Sequence, residues 1–214
     1  CKRIAVKMHF GEPGNKTAFT PKDIEPFLKI LDDLHINYFL YDSSVAYGGL
    51  RGEPRTHQEY AQSKGFKNVE LGDEYIGMKS EHLTCQVCKK LSDADGVFVL
   101  THVKGHVWSG FGGAIKNLGM GALTKQTKGD IHTGGEPVFA GDCIHCGMCV
   151  DACPIHGMML NPKEKYPVVN NCYGCSTCAI VCPQGVITPK IAFFDTLLAE
   201  GAAAAASTFK KSYY

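Results

Sequence analysis

The chain has 214 residues, 44% of them hydrophobic, with a formal net charge of +1. That size allows one large domain or two modest ones. The near-neutral charge excludes nucleic acid or an anionic membrane surface as the default partner. No apolar run reaches the roughly 18 residues that span a bilayer, and the longest candidate, around residues 191–206, is broken by Asp195 and Glu200.

The first hundred residues alternate between strand and helix patterns. Residues 4–10 read as a strand. Residues 21–34 read as a helix, with Thr20 as N-cap, Pro21 at its first position and Ile24, Phe27, Leu28 and Leu31 on one face. Residues 38–41 form a second short apolar strand. Residues 56–64 read as a helix stopped by Gly65. Residues 96–100 supply a third strand, whose Val97, Phe98 and Val99 suit a buried parallel position. This order predicts an α/β domain with a mostly parallel sheet.

Between Gly105 and Gly135 glycines crowd the sequence, and the stretch reads as loops around one short helix near residues 114–118. Glycines before a helix start leave backbone N–H groups open to an anion, and Lys104, His106 and Lys116 add charge nearby. A tightly packed turn with solvated lysines explains the same residues equally well. After Pro189 an alanine-rich segment reads as a helix, followed by an exposed basic and aromatic tail.

The chain contains 11 cysteines. Eight lie in a repeat of period 29. The first copy runs Cys143, Cys146, Cys149, Cys153-Pro154, and the second Cys172, Cys175, Cys178, Cys182-Pro183. Both fit the C-x2-C-x2-C-x3-C-P run that binds [4Fe–4S] clusters in bacterial ferredoxins, in which the fourth cysteine ligates the other cluster. The predicted ligand sets are therefore crossed: Cys143, Cys146, Cys149 and Cys182 for one cluster, and Cys172, Cys175, Cys178 and Cys153 for the other. A pair of zinc sites is the alternative, and zinc usually asks for four ligands in paired, more widely separated units. His145, inside the first loop, is expected to face solvent. Cys85 and Cys88 form a lone C-x2-C, with His82 three residues upstream; they are weak metal-ligand candidates, or simply packed. Cys1 has no local partner.

The domains expected are residues 1–138 (α/β, with the glycine-rich segment), 139–190 (α+β, ferredoxin-like, two [4Fe–4S] clusters) and 191–214 (a C-terminal helix and tail). Cysteines spaced for metal rather than disulfides point to a reducing compartment, the cytoplasm. Two functions fit. One is an electron carrier serving a partner redox enzyme. The other is a redox enzyme whose α/β domain holds a small substrate or extra metal near Lys104, His106, Lys116, His57 and His132. No dinucleotide or phosphate-loop fingerprint follows a strand, so neither flavin nor nicotinamide is expected.

Several separate motifs occur in order: Gly11-Glu-Pro-Gly-Asn15, Tyr47-Gly-Gly-Leu-Arg51-Gly52, Thr56-His57, Lys104-Gly-His106, Gly112-Gly-Ala-Ile-Lys116-Asn117-Leu-Gly-Met-Gly121 and His132. Together they resemble the iron–sulfur proteins of the domain of unknown function 362 family, up to about Pro189. The resemblance implies an α/β domain with an inserted two-cluster ferredoxin domain and no established activity. It also implies further α/β structure after the insertion, where this sequence has one helix; with Cys1 in place of Met, that suggests a fragment.

Overall fold

The computed structural model describes residues 3–213, so Cys1 lies outside the described residues. In chain order the elements begin with β1 (Arg3–Lys7), α1 (Pro21–Asp33), β2 (Asn37–Tyr41) and α2 (Pro54–Ser63). Next come β3 (Tyr75–Lys79), β4 (Thr84–Cys88), α3 (Lys89–Asp93) and β5 (Gly96–Val99). The glycine-rich stretch holds β6 (Lys104–His106), β7 (Gly110–Gly112), α4 (Ala114–Gly119) and α5 (Lys125–Gly134). Then follow β8 (Pro137–Phe139), α6 (Met148–Asp151), β9 (Met158–Met159) and β10 (Val168–Val169). The chain continues through α7 (Thr177–Val181), β11 (Ile187–Pro189), α8 (Phe194–Ser207) and β12 (Ser212–Tyr213). Among the described residues no helix is long and apolar enough to cross a membrane.

The elements form two compact units. The first comprises Cys1–Lys104, Gly112–Lys128 and Leu198–Tyr214; the second comprises Gly105–Phe111 and Gly129–Leu197.

The first unit is mixed α/β. Its sheet has the order β12-β5-β1-β2, with every pair parallel. Ala5 lies in register between Phe39 and Val97. Four of the five β1 residues are buried, as a central parallel strand covered on both faces requires. Helix α1 starts where expected. The Thr20 N–H donates to Asp23 Oδ2 at 2.7 Å, so a donor left orphaned at the helix start is satisfied. Ile24 and Leu31 are buried from the predicted face.

Two expectations are corrected, and one hairpin is new. The segment Gly105–Gly135 is more than loops around one helix, because α5 occupies its second half. Two glycines and a sparse apolar pattern hide that helix, each glycine costing roughly 1 kcal/mol of helix propensity. Tertiary contacts offset this cost: the Gln86 N–H donates to Thr127 Oγ1 at 2.9 Å, and the Lys128 ammonium donates to Ser43 Oγ at 2.7 Å. The antiparallel hairpin of β3 and β4 was not foreseen; β3 alternates between exposed and half-buried residues around Gly77, too short and weak a pattern to stand out. The tail is not simply exposed, since β12 extends the sheet beside β5 and the Val97 N–H donates to Lys211 O at 2.8 Å.

The second unit carries the 29-residue repeat into three dimensions. α6 of the first copy corresponds to α7 of the second. β8 pairs with β11, and β9 with β10, both antiparallel, so each small sheet takes one strand from each copy. The backbone repeats as well. Positive φ occurs at His145 (53°) and Gly174 (65°), at Gly147 (82°) and Ser176 (61°), and at His156 (53°) and Gly185 (62°), each pair 29 residues apart. The core joins the copies: Cys149, Met158, Cys178, Val186 and Ile187 are buried together, with Phe139 and Val169 against them.

Candidate metal centres

Each C-x2-C-x2-C loop turns through two left-handed residues before its short helix. Around the first loop lies a hollow lined by Cys143, Cys146, Cys149 and Cys182 together with Ile144, His145, Leu160 and Ile187. His145 is half-buried there, not turned wholly to solvent. Around the second loop lies a hollow lined by Cys153, Cys172, Cys175 and Cys178 together with Ile155, Met158, Val169 and Trp108. Each hollow takes three cysteines from one copy and the fourth from the other.

The donor set can be tested against its possible occupants. In a tetrahedral zinc site with Zn–S near 2.3 Å the sulfurs stand roughly 3.8 Å apart. Among the described residues one trio of ligand atoms lies within 4.8 Å of one another, Glu81 with His82 and Glu200, and no trio of these cysteine sulfurs does. The thiols surround a space wider than one ion fills. Polar donors also meet the sulfurs: the Gly157 N–H reaches Cys153 Sγ at 3.2 Å and the Gly174 N–H reaches Cys172 Sγ at 3.3 Å.

The electrostatics favour a cationic occupant. Burial, with Cys175 and Cys172 alongside, pushes the Cys178 thiol up to about 12. Burial likewise raises Cys149 and Cys172. Burial also acts to raise Cys182, but the backbone N–H groups of Gln184, Val186, Ile187 and Gly185 outweigh it and the thiol is lowered. The raised thiols of Cys149, Cys172 and Cys178 give up their protons readily only to a metal, whose charge inverts the local preference. Eight thiols in two apolar, N–H-lined sets of four fit a polynuclear iron–sulfur group.

The other candidates are dispersed. Cys85 and Cys88 are both buried and, three apart on β4, belong to opposite faces of the strand; Cys88 bonds the Tyr41 hydroxyl. His82 pairs with Glu200 through Nδ1 at 2.5 Å, so these three do not form one ligand set. Lys104, Lys116 and His57 belong to the first unit, while His106 and His132 belong to the second. Lys116 is lowered to about 8, mainly by burial and further by Lys104. His106 and His132 both meet the Trp108 ring, at 5.2 Å and 5.7 Å between centroids.

A buried charged network in the first unit went unforeseen. The Lys7 ammonium donates to Asp42 Oδ1 (3.0 Å), Asn117 Oδ1 (2.7 Å) and Met8 O (3.0 Å). Arg51 donates through Nη2 to Asp42 Oδ2 at 2.8 Å, through Nη1 to Glu12, and through Nε to His57 Nε2 at 3.1 Å. Asn117 Nδ2 donates to Thr101 Oγ1 at 2.8 Å. The network sits just beyond the carboxyl ends of β1, β2 and β5, where open α/β sheets commonly bind ligands. Yet all three Lys7 protons have acceptors within the chain, so the network works as an internal clamp. Gly121 belongs to it by necessity, since a Cβ there would lie 2.4 Å from Lys7 Nζ. The sequence signal was a polar residue closing each of two apolar strands, Lys7 and Asp42.

These features spread over the same span as a family model described as Domain of unknown function (DUF362), which matches residues 4–210. The chain belongs to that family. DUF362 membership covers both units. A search of curated proteins returns no match, so for this DUF362 protein the residues themselves must carry the functional reading.

Proposed function

We propose that the second unit is a ferredoxin-like domain holding two [4Fe–4S] clusters, one on Cys143, Cys146, Cys149 and Cys182, the other on Cys172, Cys175, Cys178 and Cys153. The observation that carries this reading is the crossed composition of the two hollows, three cysteines from one copy and one from the other. A bound [4Fe–4S] group supplies reversible one-electron storage. The protein's own contribution is to hold eight thiolates, direct backbone N–H groups at sulfur, and exclude water with Leu160, Ile187, Met158 and Val169, all of which tune potential.

The function is electron transfer with a partner redox protein. Cys146 is exposed, and Ile144, Met148, Tyr173 and Ile180, beside the cysteines in sequence, are large exposed hydrophobic residues. Apolar side chains next to the ligand loops suit a brief docking partner and a short path for an electron. A second reading, a substrate-binding enzyme, is favoured by one feature: the partly buried Lys116 beside Lys104 in the first unit, a pair of cations suited to an anion.

Anaerobic purification followed by iron and sulfide analysis tests the proposal. About eight of each per chain are expected, with two paramagnetic centres on reduction. Stoichiometric zinc without sulfide would overturn it. Copurification with a redox protein favours the carrier; a small anion retained by wild type and lost in Lys116→Ala favours the enzyme.

A further inference from the structure

Trp108 is the chain's single tryptophan, and it lines the hollow of Cys153, Cys172, Cys175 and Cys178. Its position is strongly determined. The ring stacks on Tyr173, with centroids 4.9 Å apart and planes inclined by 23°. His106 and His132 meet it edge-on. The Trp108 backbone N–H donates to His106 Nδ1 at 3.2 Å, which closes the turn that presents the indole. His132 is fixed in turn by its Nδ1 contact to Tyr173 O at 2.7 Å and by the Phe194 ring.

The indole nitrogen can donate a hydrogen bond and cannot accept one. Here Nε1 is buried with no hydrogen-bond partner among the described residues. Buried donors in folded proteins are almost always satisfied, and an exception calls for a specific explanation. If this ring served only as apolar cover, phenylalanine would cover the hollow without carrying a donor. Besides apolar side chains the hollow is lined by Tyr173, Ser176, Thr177 and the four cysteines; Ser176 Oγ is already bonded to Gly135 O and the Phe194 N–H, and Thr177 Oγ1 to Cys175 Sγ. Sulfur bearing negative charge is the acceptor that occupation of the hollow would bring.

We propose that Trp108 donates its indole N–H to a sulfur of the group bound by Cys153, Cys172, Cys175 and Cys178, and so raises the reduction potential of that centre. The inference rests on the cluster reading above. Its sign follows from charge: one-electron reduction makes the centre more negative, and a donor aimed at sulfur stabilises the more negative state. An apolar ring that only excluded water would act in the opposite direction.

The test uses the full chain with its iron and sulfide content measured first. Redox titration with dithionite, followed by paramagnetic resonance, should give two midpoints. In Trp108→Phe, which keeps a ring for Tyr173 to stack on, one midpoint should move to a more negative value while the other stays. Unchanged midpoints, or an upward shift, would overturn the proposal. A second measurement needs no variant. With the indole nitrogen labelled with ¹⁵N, pulsed resonance of the reduced wild-type protein should show coupling of that nitrogen to one centre, and no coupling would overturn the proposal even if Trp108→Phe failed to assemble. Absence of iron and sulfide would remove the cluster reading itself, whereas about eight irons per chain with no nitrogen coupling would remove the Trp108 inference alone.

Discussion

Lys7 Nζ lies 3.0 Å from Asp42 Oδ1, and both side chains are essentially sealed from water, at 0% and 2% exposure. Arg51 reaches the second carboxylate oxygen at 2.8 Å. Burial alone would raise the Asp42 carboxyl, but Lys7 and Arg51 outweigh it and hold it far below the usual range. Asp42→Asn would leave two buried cations short of an anion, and breaking such a pair costs about 3–5 kcal/mol. We expect a loss of that size in urea unfolding. Little change in the midpoint would mean that water already reaches the pair.

Acid should weaken the first unit before carboxylates titrate. Burial lowers His57 to about 4, with Asp42 opposing the shift and Arg51 adding to it. The structure agrees, because His57 Nε2 accepts from Arg51 Nε, which requires a neutral ring. In the unfolded chain His57 titrates near 6.5, so between these values the unfolded state binds a proton the folded state refuses. The stability contribution is fully present above about 6.5 and is lost as pH falls toward 4. At about 1.4 kcal/mol per pH unit the total is on the order of 3 kcal/mol. Unfolding curves between pH 7.5 and 5 should show this slope, and His57→Gln should reduce it, leaving the part due to His9, which burial lowers to about 3.

Two left-handed glycines of the second copy should respond very differently to alanine. A Cβ on Gly174 would lie 1.7 Å from the His132 carbonyl oxygen, whereas one on Gly185 meets nothing within 4 Å. Both have positive φ, which costs an alanine about 1–2 kcal/mol. Gly174→Ala should therefore disrupt the second loop and reduce iron from about eight to about four per chain, while Gly185→Ala should keep both centres. Equal iron in the two variants would contradict the packing described for Gly174.

Crossed ligation predicts which cysteine variants share a phenotype. Cys153→Ser and Cys175→Ser should alter the same resonance signal, and Cys182→Ser and Cys146→Ser the other. If Cys153→Ser instead shared its signal with Cys146→Ser, each copy would serve its own centre.

Ser176 takes the place in the second copy that Gly147 holds in the first, and it is buried with a φ of 61°. Its hydroxyl donates to Gly135 O at 3.0 Å and accepts from the Phe194 N–H at 3.1 Å. Ser176→Ala removes both bonds and should destabilise the chain by about 1–3 kcal/mol, read as a lower melting temperature with both centres still assembled.

The parallel strands and the α1 helix were legible because short-range patterns specify them: the strand readings at 4–10, 38–41 and 96–100, the first running three residues past the end of β1, and Thr20 three residues ahead of Asp23. Cysteine spacing likewise named eight residues and grouped them across the two copies, since loop chemistry is local and the repeat is plain. The sequence could not reveal α5, whose glycines argue against a helix until Gln86 and Ser43 hold it. Nor could it join Lys7 to Asp42, Arg51 and Asn117, as much as 110 residues apart, because a buried charge finds its partners only when the chain closes. The five histidines and lysines named as candidates for one site belong to two different units. Trp108 was unremarkable in sequence, and only folding placed its ring, with an unsatisfied N–H, in the lining of the hollow of four cysteines.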